Sequence, residues 1–139
     1  MAVVHGNFLA ADVGELAGVS GTTIGQWARW GYIPASVSAE DPHVYSVEDA
    51  VEAAIVAELL GRGVSHADVL RAIGRLRDEY GGWPLSEAPL GTTTQNGRTR
   101  VVLRERDGYY ALGPRGWQLM AIEPPVIEEV RLRLNRRRR

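Results

Sequence analysis

The chain has 139 residues, 45% hydrophobic and 24% charged, a length that suits one domain or a small domain with an appendage. The absence of cysteine excludes a disulfide framework, a thiolate metal site and a cysteine nucleophile. No apolar run approaches the ~20 residues of a membrane span and the start lacks a basic-then-apolar leader, so a cytoplasmic protein is expected. All 16 basic residues are arginine, and they are unevenly spread. Residues 1–45 hold one arginine against four acids, residues 46–90 four against eight, and residues 91–139 eleven against five. The acidic part of the chain therefore comes first and the basic part last.

Taken in order, Val13 and Leu16-Ala17 share a helix face over Ala11–Ala17. Gly18 suits a left-handed stop, Val19 plugs the turn, and Ser20 can cap a second helix from Gly21 to Trp30. Ile24, Trp27 and Ala28 point that helix at the first, with Thr22, Thr23, Gln26 and Arg29 outward and Trp30 placed at the edge. Gly31 stops it, Ile33-Pro34 starts an extended stretch, residues 36–43 form a hairpin tip, and Val44-Tyr45 returns. Ser46 with Asp49 opens a helix striped by Val51, Ile55 and Leu59, broken at Gly61 and Gly63. Ser65 with Asp68 opens the next, whose core face is Val69, Leu70, Ile73, Leu76 and Tyr80, ended by Gly81-Gly82.

Beyond that point the pattern changes. Trp83–Leu85 and Ala88–Leu90 alternate apolar residues with proline and predict an anchored, extended linker. Residues 91–97 are polar and turn-rich, residues 98–105 alternate, and Asp107-Gly108 is a hairpin dipeptide returning through Tyr109–Leu112. Trp117, Leu119 and Ile122 fit either a strand or one helical turn. Pro124-Pro125 precedes a short predicted helix with Arg131 and Arg133 outward, and Arg136–Arg139 is a terminal charge run.

Residues 8–80 resemble the MerR-type family, including its smaller excisionase-like members. The likeness rests on Val13, Glu15-Leu16-Ala17, Gly18-Val19-Ser20, Thr23-Ile24, Trp27, Arg29, Gly31–Pro34, Tyr45-Ser46, Asp49–Val51 and the Gly63–Ser65 link. It implies a winged helix-turn-helix whose second helix enters the major groove while the wing touches flanking backbone. Thr22, Thr23, Gln26, Trp27 and Arg29 would then meet double-stranded DNA, with His43 and Tyr45 at the wing. On its spacing from Ile24, however, Trp27 also suits the core. From Trp83 onward, Trp83–Leu85, Gly97-Arg98, Val101–Leu103, Asp107-Gly108 and Gly113–Gln118 resemble the middle region of MerR-like antitoxins that accompany PIN-domain toxins. That resemblance implies Trp83, Arg115, Trp117, Arg131 and Arg133 as partner-binding residues, with a second copy or a toxin protein as the partner.

Chemistry is not expected. His5, His43 and His66 fall in three separate elements without ligand spacing, and Gly61-Arg62-Gly63 lacks the lysine and context of a phosphate loop. No nucleophile, base and orienter come together. The expected protein is a non-enzymatic, cofactor-free, metal-free DNA-binding transcriptional regulator, acting as the autoregulating antitoxin of a pair. Alternatively, the helix-turn-helix serves as a protein-interaction scaffold without DNA contact. The expected architecture is mainly α, with a winged helix-turn-helix and following helices over residues 1–81 and a small β-hairpin region over 82–139.

Overall fold

Helix α1 (Ala10–Ala17) and helix α2 (Gly21–Trp30) form where the pattern puts them, in a computed structural model that describes residues 7–113 and 115–120. Gly18 takes the left-handed conformation with φ 79°, and the Ser20 hydroxyl accepts the Thr23 N–H at 3.1 Å as the cap of α2. A second glycine matters more. A Cβ on Gly14 would stand 2.5 Å from the Val19 carbonyl oxygen and 3.0 Å from the Ser20 carbonyl carbon. The turn between the helices therefore folds directly onto α1, and only a residue without a side chain lets it.

After α2 the chain passes Pro34 and makes a small wing. Ser38 and Val44 form a single antiparallel bridge, and the Asp41–Pro42 peptide at the tip is cis. Tyr45 then pairs with Phe8, their N–H groups and carbonyls exchanging bonds of 2.8 and 2.9 Å. This joins the wing base to the segment just before α1.

Helix α3 (Val47–Gly61) begins with Ser46 and Asp49 capping each other, Asp49 N–H to Ser46 Oγ at 3.1 Å and Ser46 N–H to Asp49 Oδ2 at 2.8 Å. The sequence pattern predicts one main apolar stripe, yet Ala50, Ala53, Ala54, Ile55, Val56 and Leu59 are all buried. A helix apolar on nearly every side belongs inside a molecule. Here α3 has α1 against one side and α4 (His66–Tyr80) and α5 (Pro84–Glu87) against others.

The expected mainly-α class with a small β-hairpin is wrong. Among the described residues helix makes up 46% and strand 26%, an α+β composition. Strands β1 (Leu90–Gln95), β2 (Arg98–Glu105), β3 (Gly108–Gly113) and β4 (Gly116–Met120) form one antiparallel sheet in sequential order. Residues 91–97, expected as a polar turn, contain the β-branched run Thr92–Thr94, which favours a strand. Asn96 and Gly97 carry φ of 55° and 75°, the left-handed pair that a tight two-residue hairpin needs. Strand β1 escapes a reading by periodicity because Gly91 and Thr92 are buried alongside Leu90, so it carries no apolar alternation. Trp117 and Leu119 lie on β4, settling the choice between strand and helical turn, whereas Trp83–Leu85 is not an extended linker but the start of α5, with Pro84 at its first position. The helix expected near Arg131 and the terminal arginine run lie outside the described residues.

Two buried carboxylates on α3 hold these parts together. Asp49 Oδ2 accepts the Ser36 N–H and hydroxyl, each at 2.8 Å, besides the Ser46 N–H, and its Oδ1 accepts the Trp83 indole N–H at 2.7 Å. One turn on, Glu52 accepts the N–H groups of Leu85 and Ser86, both at 2.8 Å. Those are the free amides just after Pro84, so α3 supplies the anion that the N-terminus of α5 attracts. Burial raises the Glu52 carboxyl from its ordinary 4.5 to about 7, overcoming the opposite pull of those hydrogen bonds, while Asp49 adds a smaller upward push. At the far end of α3, Arg62 Nη1 donates to Thr92 Oγ1 of β1 at 3.2 Å. On α4, Asp68 takes Arg98 of β2 at 3.3 Å.

The close turn and the buried carboxyl can each be tested. Gly14→Ala forces the turn off α1 and lowers stability by about 2 kcal/mol in urea unfolding, the cost of overpacking against unyielding backbone. Glu52 titrates near 4.5 when unfolded and near 7 when folded, so between those values the folded chain holds a proton that the unfolded chain has released. The stability from this group is complete below the lower value and is lost as pH rises through the higher one. Wild type minus Glu52→Gln, measured by urea unfolding from pH 4 to 8, should fall with rising pH by on the order of 3 kcal/mol; a difference flat across that range would contradict the assignment.

Candidate nucleic-acid interface

The first turns of α1 and α2 meet. A Cβ on Gly21 would stand 3.2 Å from the Ala11 backbone nitrogen and Cα, so the two helix N-termini lie side by side. Between them and the wing runs an open groove of about 740 Å³, lined by Ala10 and Ala11 of α1, Thr22, Gly25 and Arg29 of α2, and Asp41, His43 and Tyr45 of the wing.

Helix N-termini carry partial positive charge and unbonded N–H groups, so a groove with two of them favours an anion. Arg29 adds a full charge. Its Nη1 would lie 3.4 Å from a Cβ at Gly25: the guanidinium folds back along α2 over the spot that glycine leaves empty. No ion pair ties Arg29 to an acid among the described residues. Asp41 at the wing tip is the one acid lining the groove and is exposed.

Two polar atoms in the groove wall are buried without a hydrogen-bond partner among the described residues, His43 Nδ1 and the Tyr45 hydroxyl. Buried polar groups are nearly always satisfied, so each unpaired one calls for a reason. The two rings stand 6.2 Å apart. Burial raises the Tyr45 hydroxyl pKa; Arg29 opposes the shift and Asp49 adds to it.

The residues expected at DNA divide into three groups. Thr22, Arg29, His43 and Tyr45 line the groove together. Gln26 is half-buried, and the Thr23 hydroxyl is bonded to Ser20 Oγ at 2.9 Å as part of the cap. Trp27 is 3% exposed and belongs to the core, packed with Ile24, as its helical spacing from Ile24 allows. Among the expected partner residues, Trp83 spends its N–H on Asp49, Trp117 packs against the core, and Arg115 is exposed between β3 and β4. Arg131 and Arg133 lie outside the described residues.

One feature has no signature in the sequence pattern. Ala10, Ala11 and Gly21 line the groove through backbone, and no side-chain pattern announces that. A second surface lies at the other end of α2, where Trp30, the tryptophan at the helix edge, is 51% exposed, its ring tilted against Tyr32 at 5.7 Å and edge-on to His66 at 6.4 Å. The Tyr32 hydroxyl and His66 Nδ1 share a hydrogen bond of 3.1 Å, and Leu70 is exposed one turn along α4.

No group of three or more metal-ligating side chains occurs among the described residues, and no helix there is long and apolar enough to cross a membrane. The chain matches no family model, no curated protein and no solved structure.

The unpaired Tyr45 hydroxyl makes a specific prediction. Tyr45→Phe removes a buried group that has nothing to bond, so the free protein keeps its stability or gains up to about 1 kcal/mol in urea unfolding. A clear loss would show that the hydroxyl is already satisfied in the free chain.

Proposed function

We propose that this protein binds double-stranded DNA as a transcriptional regulator, seating backbone phosphate in the groove and turning the outward face of α2 to base edges. One observation carries the reading: two helix N-termini and Arg29 converge on one groove beside the outward face of α2, with Tyr45 in the groove wall. The charge of a phosphate matches the helix ends and the guanidinium. Thr22 and Gln26 then supply the polar side chains for the bases. The DNA contact is small in charge because residues 1–45 hold one arginine, so affinity falls only gently with salt. The antitoxin role stays attached to this reading as its partner-binding half. It draws on the arginine-rich C-terminal third.

A second reading has its own observation. Trp30, His66 and Leu70 form an exposed apolar and aromatic surface at the joint of α2 and α4, and exposed tryptophan is enriched at protein interfaces. On this reading the helix pair is a scaffold for a protein partner. The antitoxin role accommodates both.

Fluorescence anisotropy with labelled duplexes, including the DNA upstream of the protein's own gene, separates the two. Arg29→Ala should weaken duplex binding by roughly tenfold, the loss of one charge-assisted bond. Trp30→Ala should leave it unchanged. Loss of binding with Trp30→Ala alone, or no binding at low salt by the wild type, would reject DNA contact through this groove.

A further inference from the structure

The sheet has two edges, and they differ. Strand β1 is buried over Leu90–Thr92, with Arg62 bonded to Thr92. Strand β4 has no pairing partner on its outer side among the described residues. Its sequence, Gly-Trp-Gln-Leu-Met, holds no charge and no proline, the two devices that normally keep an edge from pairing. It also carries Leu119, at 64% the most exposed large apolar side chain among the described residues.

The hydrogen-bonding register of β4 restricts what can pair with it. The two-residue loop between Gly113 and Gly116 closes on a hydrogen-bonded pair, and such pairs alternate along an antiparallel ladder. Gln118 and Met120 therefore bond inward to β3, while Trp117 and Leu119 direct their N–H and C=O groups outward. We infer that β4 is the contact surface for a second copy of this chain, the two β4 strands pairing antiparallel about a two-fold axis at Gln118. In that register Trp117 of each copy faces Leu119 of the other, and the outward groups of both residues are paired. Gln118 faces its own counterpart as the non-bonded pair between them.

Three observations favour a second copy over another occupant. The register that satisfies the outward backbone groups is self-complementary, as a two-fold interface requires. The strand itself holds no charge, so its own residues set no like charges opposite one another, and the nearby cation, Arg100 of β2, reaches Gln118 Oε1 with its Nη1 at 3.5 Å. The apolar row also continues across the axis. Leu112 pairs with Trp117 and Tyr110 with Leu119 on the core-facing side of the sheet, so each exposed Leu119 would lie between its own Tyr110 and the other copy's Trp117. On the opposite face Gln118 lies over Gly113, where a Cβ would be 3.2 Å from its Cδ. The inference stands whether or not α2 binds DNA.

The test uses the full chain in sedimentation equilibrium. Wild type should be a dimer. Gln118→Arg sets two like charges opposite each other on the axis and should raise the dimer dissociation constant by about tenfold or more. Mixing the Q118R chain with a Q118E chain places opposite charges there and should restore association, which also shows that the variants are folded. A monomeric wild type overturns the inference, as does a dimer that Q118R leaves intact. A mixture no tighter than Q118R alone overturns it too, because only a two-fold register at this residue brings the two side chains together.

Discussion

Two carboxylates one turn apart on α3 determine how the rest of the molecule is joined. Asp49 gathers the wing base through Ser36, its own helix start through Ser46, and the chain beyond α4 through Trp83. Glu52 caps α5, which leads into the sheet. Both are fully buried, and among the described residues neither forms an ion pair with an arginine. Their oxygens are satisfied by backbone amides, a hydroxyl and an indole, so the pairing is hydrogen-bonded rather than ionic. Burying carboxylates this way is costly unless every bond is made. It raises the pKa of Glu52 to about 7, and it makes the placement of the wing depend on the placement of α5.

The groove inherits its form from that arrangement. Tyr45 precedes the Ser46 cap by one residue and is held by its ladder with Phe8, so the wing wall is positioned by the same helix start that Asp49 secures. The opposite wall depends on two close approaches, Gly14 under the turn and Gly21 against Ala11. With a side chain at either position the helix N-termini would separate. The preference for an anion is thus a property of backbone brought together, reinforced by one arginine, and this reconciles a site of that character with an acidic stretch of sequence.

Much of the helical part is legible in the amino-acid sequence. Ser20, Ser46 and Ser65 each cap a helix, and Gly18 ends one, because capping chemistry is local: a hydroxyl three residues from an amide acts the same in any fold. The hairpin at Asp107-Gly108 is legible for the same reason. Apolar periodicity misleads where burial falls on small or polar residues. Gly91, Thr92 and Thr99 are inside the sheet without looking apolar, so β1 resembles a polar turn and the sheet looks smaller than it is. Asp49 and Glu52 look like exposed helix acids, and no local rule distinguishes a buried carboxylate from a solvated one.

Interactions within a few residues fix where the helices begin and end, the short turn that joins α1 to α2, and the suitability of Trp27 for the core by its spacing from Ile24. The division of charge between the two ends of the chain is likewise written in the residues themselves. Packing, by contrast, directs Trp83 to Asp49 rather than to a partner and folds Arg29 back over Gly25. It also sets Tyr45 in the wall of a groove and leaves β4 as an open edge among the described residues. Each of these depends on segments that meet in space from 4 to more than 30 residues apart. The donors and acceptors they bring are ordinary; which of them find one another is set by the way the chain closes around α3.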